Sequence, residues 1–174
     1  GGALHALWTL DGLNKLEPAL IERALGDPEA GVRENAIRLA ESRLAASPAL
    51  IEKLLKMEHD PDRRVQFQLL CTLGGVNSRA SRDVQDRLLA RGIDDPWMQI
   101  AALSAASERA PQLFRTAAAF TGQQTAGRAR FFHQTAAVIG ARRKTEEVRQ
   151  LLTTLQRSSD PGSSWWRRAT LEGL

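Results

Sequence analysis

The chain is expected to be all-α, an α-α superhelix of about five stacked helix pairs with one unpaired leading helix. Three observations predict this. A helix-start signature, Asp-Pro followed by a branched apolar residue, opens at Asp27, Asp60 and Asp95, spaced 33 and 35 residues apart. A helix-end mark, glycine before a small or apolar residue, recurs at Gly12, Gly74, Gly140 and Gly173, at intervals of 62, 66 and 33 residues, near whole multiples of the same period. Strand signals are missing, with no alternating apolar run, no Asn-Gly turn and no tyrosine. A unit recurring at this spacing marks a stacked repeat. Each amphipathic pair in such a stack buries its apolar face only against its neighbours.

The elements follow in order. Leu4, Leu7, Trp8 and Leu10 lie at helical spacing and predict a leading helix over about 2–13. Gly12 closes it in the left-handed conformation, with Leu13 packing back on the last turn. Pro18-Ala19-Leu20-Ile21-Glu22 returns verbatim as Pro48-Ala49-Leu50-Ile51-Glu52 and opens the first helix of two successive pairs. Ser47 is placed to cap the second of these. Leu50, Ile51, Leu54 and Leu55 form one apolar stripe; Val84, Leu88 and Leu89, then Leu113, Phe114 and Ala117, then Val148, Leu151, Leu152 and Leu155 form its later counterparts. The second helices open at the Asp-Pro copies. There Asp accepts hydrogen bonds from free N–H groups, and proline at the first helical position has no N–H to lose. Val32, Val65 and Ile100 then begin the buried stripe. The five pairs fall at roughly 14–45, 46–76, 77–108, 109–141 and 142–174, and no proline interrupts a stripe. Gly122-Gln123-Gln124-Thr125-Ala126-Gly127 reads as a stretched loop inside the fourth pair.

With 174 residues, 43% hydrophobic and 25% charged, the chain can bury a sizeable core and is not compositionally disordered. No apolar run approaches the ~18 residues of a membrane span, and no signal-peptide pattern opens the chain, so this segment is not expected to insert in a membrane. The single cysteine excludes an internal disulfide framework, and Cys71, within Leu69-Leu70-Cys71-Thr72-Leu73, is expected to be a buried inert thiol. The net charge of +4 is unevenly spread. Residues 109–174 hold eleven Lys/Arg against four Asp/Glu; the rest hold thirteen against sixteen. Such a basic back half suits either an anionic partner or a solvated face.

Motifs for chemistry are sparse. His5, His59 and His133 lie far apart with no second His or Cys at ligand spacing, so no metal residue is assigned. There is no nucleophile elbow, and Gly122–Gly127 lacks the Lys-Ser/Thr ending of a phosphate loop. A Ser/Cys–His–Asp set needs only to meet in space, and the sequence neither contains nor forbids one. No catalytic or cofactor residue is therefore assigned. The basic, partly aromatic back end comprises Arg128, Arg130, Phe131, Phe132, Arg142, Arg143, Lys144, Trp165, Trp166, Arg167 and Arg168. Arginine beside aromatic faces suits phosphate contact with base stacking. The other reading is that these arginines solvate helix surfaces, with at least one of Trp165 and Trp166 in the core.

The Asp-Pro-x-x-x-Val-Arg-x-x-Ala form of Asp27 to Ala36 resembles HEAT and HEAT-like repeats. That resemblance implies an Asp27–Arg33 ladder between neighbouring repeats, with Val32 and Ala36 in the core. The later copies, at Asp60/Val65 and Asp95/Ile100, depart from it, with Gln66 and Ala101 where the first has Arg33. Leu4-His5-Ala6-Leu7-Trp8-Thr9-Leu10-Asp11-Gly12-Leu13, together with Ala137-Val138-Ile139-Gly140-Ala141-Arg142 leading to Glu147-Val148 and Leu151-Leu152, is similar to the helical segment of PVC-type haem-binding, membrane-bound dehydrogenase-like proteins. This implies a bacterial, extracytoplasmic or periplasmic parent with a sugar-dehydrogenase-like propeller before the array and a cytochrome-c-like module after it. The chain would then be one repeat domain (1–174) excised from a larger multidomain protein. The Cys-x-x-Cys-His haem signature does not occur here, so no cofactor is expected in this piece.

The function expected is therefore a non-catalytic protein-protein interaction or scaffold/spacer module. Second helices of HEAT pairs line the concave face, which makes Arg38, Gln68, Arg130, Gln134 and Arg167 the candidate contacts. The alternative is a nucleic-acid-binding HEAT-repeat protein of the alkylpurine DNA glycosylase type.

Overall fold

In the computed structural model, residues 2–105, 107–119, 122–158 and 161–174 are described, and among them there are eleven α-helices, four short 3₁₀ segments and no strand. The chain divides into two compact units, Gly1–Gln85 and Asp86–Leu174.

The first unit contains α1 (Gly2–Gly12), α2 (Pro18–Ala24), α3 (Ala30–Ala40), α4 (Pro48–Leu55), α5 (Arg63–Gly74) and the start of α6 (Arg79–Gly92). Contacts run in two layers. The second helices lie side by side, α1 on α3 and α3 on α5, while α2 touches α4 in the other layer. Ile21, Leu50 and Leu54 from one layer and Ala36, Ile37, Val65, Leu69, Leu70 and Leu73 from the other are fully buried. Each buried aliphatic side chain contributes about 1.5–3 kcal/mol relative to exposure. The turn after α5 is tied to α6 through one carbonyl: Ser81 Oγ and Gln85 Nε2 both donate to Leu73 O at 2.9 Å.

The second unit contains the rest of α6, then α7 (Pro96–Ala105), α8 (Ala110–Ala119), α9 (Ala126–Ala141), α10 (Thr145–Arg157) and α11 (Ser164–Gly173). The same layering holds, with α8 against α10 and α7 and α11 each against α9. The core is aromatic. Trp166 stacks on Phe132 with centroids 5.1 Å apart, and Phe114 meets both edge-on. The approach of α11 to α9 depends on Gly173, where an added Cβ would run into the backbone carbonyl of His133. Similarly, a Cβ at Gly127 would lie 2.6 Å from Asp94 Cα, so the first turn of α9 sits directly on that loop.

Burial shows a 33-residue register that differs from the expected one in the third copy. Val32, Val65, Met98 and Phe131 are buried at one place in the repeat; Ile37, Leu70, Leu103 and Ala136 are buried at another. Ile100, expected to begin the third stripe, is 46% exposed, and Met98 holds its place. The Asp-Pro of the third copy is displaced by two residues: Asp95 stands where Asp62 stands, not where Asp60 stands. Only α7 begins at the proline of its Asp-Pro pair. In the first two copies the helix begins later, with Glu29 and Asp62 at the N-cap. All three Asp-Pro aspartates accept the N–H of the residue two further on, but at Asp27 and Asp60 the turn so closed lies ahead of the helix. Asp62 is the true cap of α5, accepting from the N–H groups of Arg64 and Val65.

Helix ends also depart from expectation. No described glycine has positive φ; the left-handed residues are Asn14 (φ 54°) and Arg143 (φ 52°). Asn14 N donates to Asp11 O and Lys15 N to Leu10 O, the paired bonds of a Schellman stop. Gly12 and Gly140 are thus inside their helices. Ser47 occupies the cap of α4 without a side-chain bond, and Leu152, expected in the stripe of α10, is 40% exposed. Helix α9 begins inside the polar break expected as a loop, with Thr125 accepting Arg128 N–H as its cap.

Candidate interaction surface

The joint between repeats of the first unit is polar and closely determined. Arg33 Nε and Nη2 donate to Asp60 Oδ2 and Oδ1 at 2.7 and 2.9 Å, a bidentate pair with side-chain exposures of 13% and 6%. Its Nη1 also donates to the carbonyls of Asp27 and Pro28 at 2.9 and 3.0 Å. The hydrogen bonds with Asp60 raise the guanidinium pKa above its ordinary value, against the opposing effect of burial. Arg33 therefore binds the backbone at Asp27 and the carboxylate of Asp60 in the next repeat. The same bond to the carbonyl six residues back is made by Gln66 to Asp60 O and by Gln99 to Ile93 O, each at 2.6 Å. Gln99, not Ala101, is the third member of this series. It also reaches the following repeat, donating to Gly127 O at 2.8 Å.

The five residues expected to form a contact surface differ in burial. Gln68 lies in the seam between α5 and the end of α3. Gln68 Nε2 donates to Glu41 Oε1 and Thr72 Oγ1, and Thr72 donates to the same Glu41 oxygen at 2.7 Å. Gln134 is half-buried, and its Oε1 has no hydrogen-bond partner. Arg167, at the place of Gln134 one repeat on, is half-buried and makes no hydrogen bond or ion pair among the described residues. Arg38 in the first unit and Arg130 in the second are exposed. Between them in sequence stand two residues that were not expected there, Trp97 (67% exposed) and Ile100 (46%), one turn apart on α7. By the 33-residue register Trp97 and Ile100 correspond to Arg130 and His133 on α9, and both of those are exposed as well. The polar series Arg33, Gln66, Gln99 would have revealed the register, and with it the outward placement of Ile100.

The arginine-aromatic set of the back half is largely spent internally. Phe131, Phe132 and Trp166 are each no more than 2% exposed, so their faces are closed to stacking bases. Trp165, half-buried, packs edge-on against Phe132. Arg128 lies 3.8 Å from Asp94 and donates to Gln123 O; Arg142 holds Glu147 with two bonds, and Arg168 bonds Glu172. The Arg142 bonds and the nearby Lys144 hold the Glu147 carboxyl below the usual carboxylate range. Asp94 also accepts the Thr125 hydroxyl.

Cys71 is only half-buried. It lines an open groove with Glu41, Leu44, Ile51, Thr72 and Val76, and burial, then the Glu41 charge, pushes its thiol pKa up. His5, His59 and His133 are exposed, and His59 lies 3.3 Å from Glu58. Among the described residues no three His, Cys, Asp or Glu side chains are grouped to hold a metal ion, and no helix is long and apolar enough to cross a membrane. No protein-family model, curated protein or solved structure matches this chain.

Proposed function

We propose that the chain is a non-catalytic protein-binding or spacer module, a HEAT-like α-α superhelix that presents the outer face of its second helices to another protein. One observation carries this reading: Trp97 and Ile100 are 67% and 46% exposed on α7, a helix that buries Met98, Ala101, Ala102 and Leu103. Exposing an indole and a sec-butyl group one turn apart gives up several kcal/mol of burial free energy, and contiguous exposed apolar surface commonly marks a contact. The layered helices within each unit and the 33-residue register support the repeat architecture. The resemblance of the Leu4–Leu13 and Asp27–Ala36 segments supports placing the module in a larger haem-binding, dehydrogenase-like parent that is extracytoplasmic. No step of chemistry is assigned to this chain, and no cofactor.

The test is site-specific photo-crosslinking in an extract of the source cells. A photoreactive residue at Ile100 or Arg38, on second helices, is expected to give discrete protein adducts. The same residue at Arg115, exposed on the first helix α8, is expected to give none. Equal labelling from all three positions, or none from any, would remove the reading.

A further inference from the structure

The outer face of α7 and α9 joins apolar surface to positive charge with no acid of its own. Neither helix contains an aspartate or glutamate, while α9 carries Arg128 and Arg130. Arg128 is occupied by Asp94 and Gln123, but Arg130 is exposed and makes no hydrogen bond or ion pair among the described residues. Trp97, Ile100, Arg130 and His133 are exposed at equivalent places of successive repeats, and α7 packs directly on α9. A carboxylate on whatever covers Trp97 and Ile100 would complement Arg130.

We propose that this face docks a short acidic peptide segment carrying a large apolar side chain, with the apolar anchor on Trp97 and Ile100 and a carboxylate on Arg130. The proposal rests on the protein-binding reading above and adds the chemistry of the partner. Tryptophan and arginine are residue types that dominate binding energy at interfaces, and a guanidinium pairs a carboxylate through two parallel bonds. The charge also steers the encounter, so affinity should fall as salt rises. A nucleic acid fits less well. Phe131, Phe132 and Trp166 are buried, so their faces are closed to stacking bases.

The test uses the full chain and a fluorescein-labelled peptide of about fifteen residues alternating Asp/Glu with Leu and Phe, read by anisotropy. A second peptide with Asn and Gln in place of the acids is the control. The acidic peptide is expected to bind, the control to bind about tenfold more weakly or worse, and the difference to shrink with added salt. Trp97→Ala and Arg130→Glu should each weaken the acidic peptide about tenfold or more, whereas Arg115→Glu should not. Melting curves check that the variants fold. Equal binding of both peptides, indifference to Trp97→Ala, or displacement of the acidic peptide by a single-stranded oligonucleotide at similar concentration would overturn the proposal. If the acidic peptide fails while Ile100 still crosslinks to a discrete protein, the partner class is wrong and the protein-binding reading stands. If both fail, both fall.

Discussion

Replacing Arg33 by methionine keeps most of the aliphatic stem and removes the guanidinium that joins two repeats. The Asp60 carboxylate, 6% exposed, would lose two charge-assisted bonds at 2.7 and 2.9 Å and keep one, from Asp62 N–H at 3.0 Å. The carbonyls of Asp27 and Pro28 would lose a donor as well. Stranding one member of a buried pair costs about 3–5 kcal/mol. The lower end applies here, about 3 kcal/mol, because Asp60 retains one N–H and lies in a turn. For a unit of this size that lowers the midpoint on the order of 15 °C, since 1 kcal/mol is worth about 4–8 °C. Urea unfolding followed by circular dichroism would measure it. The decisive comparison adds Asp60→Asn. The double variant Arg33→Met/Asp60→Asn should cost less than the two singles together, with a coupling of roughly 1.5 kcal/mol or more, because no charge is left buried alone. Simple additivity of the two substitutions would refute the idea that this ion pair fastens the repeats. A further check is Arg33→Gln, which should preserve the bond to Asp27 O that Gln66 and Gln99 make to their own carbonyls.

Other outcomes follow from the same geometry. Gly173→Ala should destabilise the second unit by about 1–3 kcal/mol, because its Cβ meets the His133 carbonyl, a backbone group that cannot turn aside. Gly31→Ala, with open space around its Cβ inside α3, should instead stabilise by about 0.5–1 kcal/mol; thermal melts of the two variants moving the same way would contradict this. Acid should weaken both units. The Asp62 carboxyl, lowered chiefly by the Arg64 backbone N–H, and the Glu147 carboxyl, lowered chiefly by Arg142, both titrate below the usual carboxylate value of about 4. Folded pKa values below the unfolded ones mean stability that is complete above the unfolded pKa and lost as pH falls through the folded one. Asp62→Asn, which keeps a capping side chain without a titrating group, should flatten that acid limb, and an unchanged pH profile would remove Asp62 from the account.

Local chemistry was legible wherever one short segment settles it. The prolines at Pro18 and Pro48 open their helices, and the apolar spacing of Leu50/Leu54, Val84/Leu88 and Leu113/Phe114/Ala117 named buried side chains directly. Helix is a local structure, and the 3.6-residue stripe shows which side must leave water. That is why the all-helical class could be read from residues alone.

The register of the third copy could not be read from Asp-Pro. The same dipeptide closes a turn two residues before the cap at Asp27 and Asp60, and stands directly at the helix start at Asp95. The choice depends on contacts with another repeat. Asp60 is drawn into its turn by Arg33 from 27 residues away, and Gln99 is fixed by Gly127, 28 residues on. The candidate surface divides in the same way. Sequence put Gln68 and Gln134 among the contacts because they are polar and on second helices, and put Ile100 in the core because it is branched and apolar. Packing turned Gln68 into a seam donor to Glu41 and Thr72 and left Ile100 beside Trp97 in water. A residue's type sets what its burial would cost; which neighbour arrives to bury it is decided only when the helices pack.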